Sequence, residues 1–199
     1  ALSIPPLAEA AGIPHANPQL VFVPRDPLLG LFTTDFANSF CLLEERNPTA
    51  DDKTLSTDKM EKKLLDDNDN SIDQKAALQA RLLDMFVMDF DRHEDQWRWA
   101  ANENGKAKIF YPIPRDRDQP FFTNTGVLPF LVAHQSVSPQ IQGFKPKARN
   151  IKTYNFNARN FDRNYLNELN RDDWQKAATA FLHIMTDELI ERSLALQPA

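Results

Sequence analysis

Hydrophobic residues in the first quarter of the chain fall into short runs separated by polar turns. Residues 19–24 and 39–44 are two such runs, rich in Val, Phe and Leu, and a turn region containing proline and glycine lies between them. Runs of this length and composition predict two β-strands. Residues 5–12 begin with two prolines and end at Gly12, which predicts a short helix before the first strand.

After a polar joint at residues 47–53, the apolar positions follow a helical period. Ser56 or Thr57 is placed to cap a helix that runs to about Asp66. The change from short apolar runs to helical periodicity indicates that the rest of the chain is dominated by helices.

A second helix is predicted over residues 72–88, because Ser71 and Gln74 have the spacing of a capping box with Ser71 at the cap. Apolar residues cover nearly all sides of its C-terminal half, so the helix is predicted to be the buried centre of the domain. The positions expected in the core are Leu78, Leu82, Met85 and Phe86.

Three further elements are predicted after this helix. Residues 96–101 and 106–112 form a β-hairpin across an Asn-Gly turn. Residues 127–134 form a short apolar helix, and a long helix begins near Asn170. The core positions of the long helix are Trp174, Ala178, Phe181, Met185 and Leu189. The predicted fold class is therefore mainly α with a small β component.

Composition narrows the range of partners. The net charge of −5 argues against nucleic acid or an anionic membrane as the main partner. No apolar run approaches the roughly 20 residues that a membrane-spanning helix needs. Cys41 is the single cysteine and cannot form an internal disulfide.

A dense group of polar residues follows the predicted central helix. Its members of interest are Asp89, Asp91, Arg92, His93 and Gln96. In protein kinases, an aspartate in this setting accepts the proton of the acceptor hydroxyl, and an amide five residues later binds a metal ion. Gln96 stands five residues after Asp91 and carries the same amide on a longer side chain. The alternative is a helix-terminal loop whose aspartate and arginine form local ion pairs.

A second acidic motif follows the predicted hairpin. Asp116 and Asp118 stand where a kinase places its Mg²⁺-binding aspartate. Their alternation points both carboxylates to one side if the segment is extended. The alternative is a charged turn after Pro114.

The two motifs together resemble the atypical kinases of the spore-coat CotH type. The residues that carry the resemblance are Asp91-Arg92-His93 with Gln96, followed by Tyr111-Pro112-Ile113-Pro114 and Asp116-Arg117-Asp118. The secreted Golgi casein kinase family is similar, since its Asp-Arg-His loop also precedes a metal-binding aspartate. The stretch also looks similar to a segment of large Gram-negative proteins that join a metallophosphoesterase-like region to an outer-membrane β-barrel.

The resemblance implies a kinase-like fold with Mg²⁺ and ATP as cofactors. Residues 1–46 would be the remnant of a small β-containing lobe and its hinge, and residues 47–199 would be the helical C-lobe. The implied catalytic residue is Asp91, supported by Asp89, Arg92 and His93. The implied metal ligands are Gln96 and either Asp116 or Asp118. Glu44 and Glu45 would lie near the adenine-binding hinge.

The resemblance also implies a larger envelope protein in the periplasm or outer membrane. Its partners would be other domains of the same chain and an unidentified hydroxyl-bearing substrate. The glycine-rich loop and the phosphate-binding lysine of a kinase would lie upstream of Ala1, and Pro120-Phe121-Phe122 stands where kinases carry Phe-Gly. We therefore expect the 199-residue chain alone to be inactive as a kinase, or nearly so.

Two other functions fit the same residues. The first is a non-catalytic kinase-like module that scaffolds or senses within an envelope protein. The second is a metal-dependent phosphoesterase that uses four carboxylates: Asp89, Asp91, Asp116 and Asp118. The chain lacks the histidine-rich ligand sets that such sites often use, which places this function last.

Overall fold

The computed structural model describes residues 1–45, 48, 53–123, 140–147 and 151–198. These residues confirm the predicted class, mainly α with a small β component. The protein is 44% helical and 17% strand, with eight α-helices and small sheets in the described part of the chain. Within these ranges, none of the helices combines the length and apolar character that crossing a bilayer requires.

The first segment contains the predicted helix and both predicted strands. Helix α1 is Ile4–Ala10. Strands β1 (Gln19–Val23) and β2 (Ser39–Leu43) pair antiparallel as a two-stranded sheet. A 3₁₀ turn over Pro27–Phe32 and the short helix α2 (Thr33–Phe36) connect them. The main contacts of the two strands are with each other and with this connection.

Two helices follow, each preceded by a two-residue strand. Strand β3 (Leu55–Ser56) leads into α3 (Thr57–Asp66), and strand β4 (Ser71–Ile72) precedes α4 (Gln74–Phe86). The boundaries of α3 are as predicted, although Ser56 at its N-cap makes no side-chain capping bond.

The predicted capping box at Ser71 is wrong. Ser71 pairs in parallel with Ile109 in the sheet, so its backbone is extended and not at a helix start. Asp73 caps α4 instead, since its Oδ1 accepts a hydrogen bond from the Ala76 amide at 2.9 Å. Sheet pairing therefore shifts the start of α4 past the position that local spacing suggests.

The second hairpin is longer than predicted but has the expected turn. Strands β5 (Trp97–Asn104) and β6 (Ala107–Pro114) pair antiparallel, with Gly105 in the turn at φ 66°. The four-stranded sheet has the order β3-β5-β6-β4. The predicted helix at residues 127–134 lies outside the described residues.

The C-terminal part contains four helices. They are α5 (Ile151–Tyr154), α6 (Arg159–Tyr165), α7 (Arg171–Ile184) and α8 (Asp187–Leu194). Asn170 begins α7 with a complete capping box. The prediction of a single long helix here is wrong, because α7 ends at Ile184. A new helix, α8, begins after Thr186, whose side chain caps it.

The core is one cluster that runs from α1 to α8. Trp97 stacks on Phe161 with ring centroids 4.0 Å apart, and Trp99 meets Tyr165 edge to face at 4.9 Å. Helix α1 packs against α8 and α4. The aromatic stack therefore joins the sheet to α6 at the centre of the protein.

Helix α4 is central, but its most buried face differs from the predicted one. Leu78 is buried as expected, whereas Leu82 and Phe86 are only partly buried. The buried side chains of α4 are Ala77, Leu78, Ala80, Arg81, Leu83 and Asp84. Two of these are charged, and they belong to the candidate site. The proposed division of the chain at residue 46 stays a prediction.

Candidate functional site

Backbone strain is concentrated in the two loops that carry the predicted site residues. Met88 follows α4 with φ 54°, Asp116 follows β6 with φ 54°, and Phe121 has φ 59°. Left-handed backbone costs a non-glycine residue roughly 1–2 kcal/mol. The other described non-glycine residue with positive φ is Asn38, in the first hairpin. The Phe121 amide donates to the Val87 carbonyl at 3.0 Å, so the two loops meet at this point. Strain of this kind is often retained at functional sites.

A buried carboxylate, Asp84, joins α4 to both loops. Its Oδ2 lies 3.1 Å from Arg81 Nη1 and 3.3 Å from Arg92 Nε, and its Oδ1 lies 2.8 Å from Arg117 Nη2. The Arg117 contact is an ion pair and not an aligned hydrogen bond, because neither Nη atom has an acceptor among the described residues. Burial opposes ionisation of Asp84, but the charges of Arg117, Arg92 and Arg81 outweigh it and keep its pKa below the usual value.

Arg81 extends this network to the C-terminal helices. Its Nε donates to Asp162 on α6 at 2.7 Å, and its Nη2 donates to Asn155 at 3.0 Å. Burial would lower the pKa of Arg81, but the charges of Asp162 and Asp84 outweigh that effect and raise it. A fully buried guanidinium is thus stabilised by carboxylates from two helices.

Asp89, a predicted supporting residue, is buried beside this network. Its Oδ2 lies 3.7 Å from Arg92 Nη1, and its Oδ1 accepts a hydrogen bond from the Asp91 amide at 3.2 Å. Burial raises the pKa of Asp89 to about 6; Arg92 opposes the rise and the charge of Asp84 adds to it. Asp89 therefore positions the loop, and its carboxylate faces Arg92 rather than solvent.

Arg92, also predicted as supporting, connects the two loops. Its Nη1 donates to the main-chain oxygen of Arg115 at 2.7 Å, and its Nη2 donates to that of Gln96 at 3.3 Å. The Arg115 amide in turn donates to Gln96 O at 2.9 Å. The guanidinium also lies over the Trp97 ring, 4.6 Å from its centroid. One buried side chain thus fixes the first loop, the second loop and the start of β5.

Asp91, the predicted catalytic residue, is 38% exposed and stands in a polar group of its own. Its Oδ1 lies 3.4 Å from Asn157 Nδ2 and 3.9 Å from His93 Nε2. The same His93 nitrogen lies 3.4 Å from Nε2, the side-chain amide nitrogen of Gln96. Three of the predicted residues, Asp91, His93 and Gln96, are therefore close together. An exposed carboxylate held by an amide is available to accept a proton from a ligand.

Asp116 and Asp118 are both exposed, while Arg117 between them turns inward and is 8% exposed. The backbone is left-handed at Asp116, so the segment is not the regular extended strand on which their alternation was based. Neither carboxylate has a hydrogen-bond or ion-pair partner in the described part of the chain. Their oxygens are accordingly available to a cation or a ligand.

A small cavity of about 40 Å³ brings Asp116 together with the predicted hinge residues. Glu44, Glu45 and Asp116 all line it, along with Arg115 and Arg117. Further lining residues include Ala1, Ile4, His15 and Pro48. A wider, open cleft of about 720 Å³ shares His15, Glu45 and Pro48 with this cavity and continues to Tyr111.

The structure thus distributes the predicted residues over three adjacent groups. Asp91, His93 and Gln96 form the first, Asp89 and Arg92 belong to the buried network, and Glu44, Glu45 and Asp116 line the cavity. Asp118 is exposed and is not among the residues that line the cavity. Among the described residues, no contact joins Asp91 directly to Asp116 or Asp118, so their convergence on one ligand stays a prediction.

Sequence reasoning missed Asp84, Arg81, Arg117 and Asn157. Arg81 and Asp84 are three residues apart in the C-terminal half of α4, where the other residues are apolar. Charged residues are almost never fully buried unless they are paired. The presence of these two charged residues in an apolar part of the helix was therefore the sequence signal for a buried ion-pair network. The partners of Asp84 come from three segments, which local pattern cannot reveal.

The described residues contain no dense group of side chains that could bind a metal ion. No three side chains of His, Cys, Asp or Glu within these ranges lie close enough to hold a metal ion. Mg²⁺ often needs only one or two carboxylates, because substrate phosphates and water complete its coordination. The roles of Gln96, Asp116 and Asp118 as metal ligands are therefore taken up below as a proposal.

Comparison of the chain with protein-family models, with curated proteins and with solved structures found no match.

Proposed function

We propose that these residues form a kinase-like domain of a larger envelope protein, which binds Mg²⁺-ATP and transfers phosphate to a hydroxyl acceptor. The observation that supports the proposal most is that Glu44, Glu45 and Asp116 line one cavity, which is too small for a nucleotide by itself but shares Glu45 with the wider cleft of about 720 Å³. On the motif resemblance, ATP would lie between the hinge residues Glu44 and Glu45 and the metal-binding Asp116. The contact of Arg92 with Arg115 adds support, because it keeps the loop of Asp91 next to the loop of Asp116.

The residues around the cavity are compatible with such a ligand. The carboxylate of Asp116 is exposed and unpaired in the described part of the chain, as a Mg²⁺ ligand in a nucleotide site must be before the metal binds. Arg115 lines the same cavity as Glu44 and Glu45, whereas the guanidinium of Arg117 is turned inward and held by Asp84. Phosphate groups are favoured near guanidinium groups.

The base and the metal ligands would be supplied by separate side chains. Asp91 would accept the proton of the acceptor hydroxyl, and Asn157 and His93 would hold its carboxylate in position. Gln96, Asp116 and Asp118 would hold the metal ion. When bound, Mg²⁺ neutralises charge on the transferred phosphoryl group. The glycine-rich loop and the phosphate-binding lysine of a kinase are not recognised among these 199 residues. Phosphate transfer would therefore require another part of the protein to supply them.

The location and partners follow from the motif resemblance alone. The domain would be extracytoplasmic, in the periplasm or at the outer membrane. Its partners would be other domains of its own chain and a hydroxyl-bearing substrate.

The proposal is tested in two stages. The first is calorimetric titration of the 199-residue chain with ATP and Mg²⁺, comparing wild type with Asp116→Ala and with Asp35→Ala, an exposed aspartate on the first hairpin. We expect Asp116→Ala to weaken binding and Asp35→Ala to leave it unchanged. Equal binding by all three proteins would exclude the role of Asp116.

The second stage is transfer from labelled ATP by a longer form of the protein that supplies the phosphate-cradling groups. We expect Asp91→Asn to lower transfer by roughly 10²- to 10⁴-fold, the usual contribution of a general base. Full activity of Asp91→Asn would exclude its catalytic role.

A non-catalytic scaffold is the second candidate. It is favoured by the use of Asp89, Arg92 and Arg117 in buried ion pairs, which is a structural role. Binding of ATP without transfer in any form of the protein would support it. The phosphoesterase function is less well supported, because one of its four carboxylates, Asp89, is buried against Arg92.

A further inference from the structure

The turn at residues 155–158 carries Asn157, whose amide contacts the Asp91 carboxylate. The turn lies between α5 and α6, and the Ala158 amide closes it by donating to the Asn155 main-chain oxygen at 3.2 Å. Asn157 Nδ2 lies 3.4 Å from Asp91 Oδ1, which is longer than most N–H···O hydrogen bonds. A contact of this length to a partly exposed carboxylate is weak, so the position of the turn decides whether the amide reaches Asp91.

One buried guanidinium, that of Arg81 on α4, holds the chain on both sides of Asn157. Its Nη2 donates to Asn155 Oδ1 at 3.0 Å, just before Asn157 in the chain. Its Nε and Nη2 donate to the Asp162 carboxylate at 2.7 and 3.3 Å, just after it. The Arg81 side chain is 1% exposed, so water competes little for these charge-assisted bonds. Both flanks of the turn are therefore fixed to α4.

The loop of Asp91 starts from the same helix. Asp84 accepts a hydrogen bond from Arg81 Nη1 at 3.1 Å, and its main-chain oxygen accepts one from the Asp89 amide at 2.9 Å. Asp89 Oδ1 in turn accepts from the Asp91 amide at 3.2 Å. Tyr154, buried at the end of α5, adds a link to the turn, because its hydroxyl donates to the Asp84 main-chain oxygen at 3.3 Å. The C-terminal half of α4 is thus the common support of the Asp91 loop and of the turn.

We propose that Arg81 is a positioning residue for Asp91, because it holds the 155–158 turn so that the Asn157 amide lies against the Asp91 carboxylate. The catalytic part of this role rests on the proposed function of Asp91, whereas the placement of its carboxylate does not. Arginine is suited to the task because its planar group contacts two helices and a turn at once, while lysine offers a single point of charge. A displacement of about 1 Å at a reacting group can cost roughly 10²-fold in rate, so a residue that touches no ligand can affect transfer.

The first test is spectroscopic and does not need phosphate transfer. In ¹H–¹⁵N spectra of the 199-residue chain, the side-chain amide of Asn157 should shift as acidification protonates the neighbouring Asp91 carboxylate. Arg81→Lys should lose most of this shift, because lysine cannot hold both flanks of the turn. Asn155→Ala leaves Arg81 its other contacts and should lose part of the shift.

Each variant has a matched control on α6. Arg163→Lys is the control for Arg81→Lys, and Asn160→Ala is the control for Asn155→Ala; both positions are exposed, and both controls should shift as wild type does. Asp91→Asn should abolish the shift, which identifies its source. Near-ultraviolet circular dichroism of the buried tryptophans verifies that each variant keeps its core. If Arg81→Lys does not fold, Asn155→Ala decides the outcome.

The second test is kinetic and uses a longer form of the protein that transfers phosphate. Asn155→Ala should lower kcat by about tenfold and leave the KM for ATP unchanged, because the base is displaced while the nucleotide contacts remain. If the wild type transfers no phosphate, the proposed function fails, and the spectroscopic test alone decides the placement of Asp91. An Asn157 shift kept in full by every folded variant would overturn the inference, as would an equal loss in the controls. A lost shift with an unchanged kcat would overturn the catalytic part of the role.

Discussion

Arg92 donates a hydrogen bond from Nη1 to the main-chain oxygen of Arg115, at 2.7 Å. The two residues are 23 positions apart in the chain, on the two loops of the candidate site. The same guanidinium also contacts Asp84 through Nε, Asp89 through Nη1 and the Gln96 carbonyl through Nη2. A planar group with five donors is needed to make these contacts at once, which explains arginine at this position.

Arg92→Lys should lower the free energy of unfolding by about 1–3 kcal/mol, because lysine keeps the charge but cannot reach all of these acceptors. Urea denaturation measures the loss. The Arg115 amide, which donates to Gln96 O, should also exchange its hydrogen faster. Arg25→Lys, an exposed arginine beside β1, is the matched control and should change neither quantity.

Asp84→Asn should lower the free energy of unfolding by about 3–5 kcal/mol, since it leaves three arginines without their shared carboxylate. Asp66→Asn, at an exposed position in α3, should stay within about 0.5 kcal/mol of wild type. Chemical denaturation of the three proteins gives the comparison. A loss below about 1 kcal/mol for Asp84→Asn would mean that the network does not stabilise the fold.

Leu83→Ala should cost about 2–5 kcal/mol, because Leu83 is fully buried and the change leaves a cavity. Leu82→Ala, one position earlier on the same helix, should cost less than about 2 kcal/mol, because Leu82 is only partly buried. Thermal and urea unfolding of this pair compares the two faces of α4. The reverse order would show that the burial of α4 is misassigned.

Asp89→Asn should change how stability depends on pH. Burial raises the pKa of Asp89 to about 6 from its usual 3.8, so the native state retains the proton to higher pH than the unfolded state. The stabilisation from this carboxyl is complete below about pH 4 and is lost as the pH rises to about 6. Asparagine has no such proton. The free energy of unfolding of the variant relative to wild type should therefore rise between pH 4 and pH 7, by about 1–3 kcal/mol. A difference that is flat over this range would contradict the raised pKa.

Asp116→Gly should be about 1 kcal/mol more stable than Asp116→Ala, because glycine adopts φ 54° without strain. Both variants lack the carboxylate, so on the proposed function both should lose the same affinity for Mg²⁺-ATP. Urea denaturation and calorimetric titration separate the two effects. Equal stability of the two variants would show that the left-handed backbone at Asp116 carries no strain.

Elements with strong local signals were predicted correctly from the sequence. The Asn-Gly turn fixes the second hairpin, and the side chain of Asn170 fixes the start of α7. These features depend on residues within one turn of each other, so no tertiary information is needed to locate them. The strands of the first hairpin were predicted for the same reason.

The errors arise where distant residues decide the outcome. Ser71 has the spacing of a helix cap, but its pairing with Ile109 in the sheet extends the backbone there. The two charges of α4 are buried because carboxylates and arginines from other segments neutralise them. The grouping of Asp91 with Asn157 also spans 66 positions of sequence, and no spacing rule connects them.

The inward turn of Arg117 has a consequence for the motion of the second loop. Its guanidinium is held by Asp84 in the interior, between two carboxylates that face outward. Swinging this loop away from the body would strip a fully buried anion of one of its three counter-charges and would draw a cation out of the core. Opening the loop should therefore cost up to about 3–5 kcal/mol, the penalty for separating a buried ion pair, so Asp116 and Asp118 are carried on a loop that is anchored in the core.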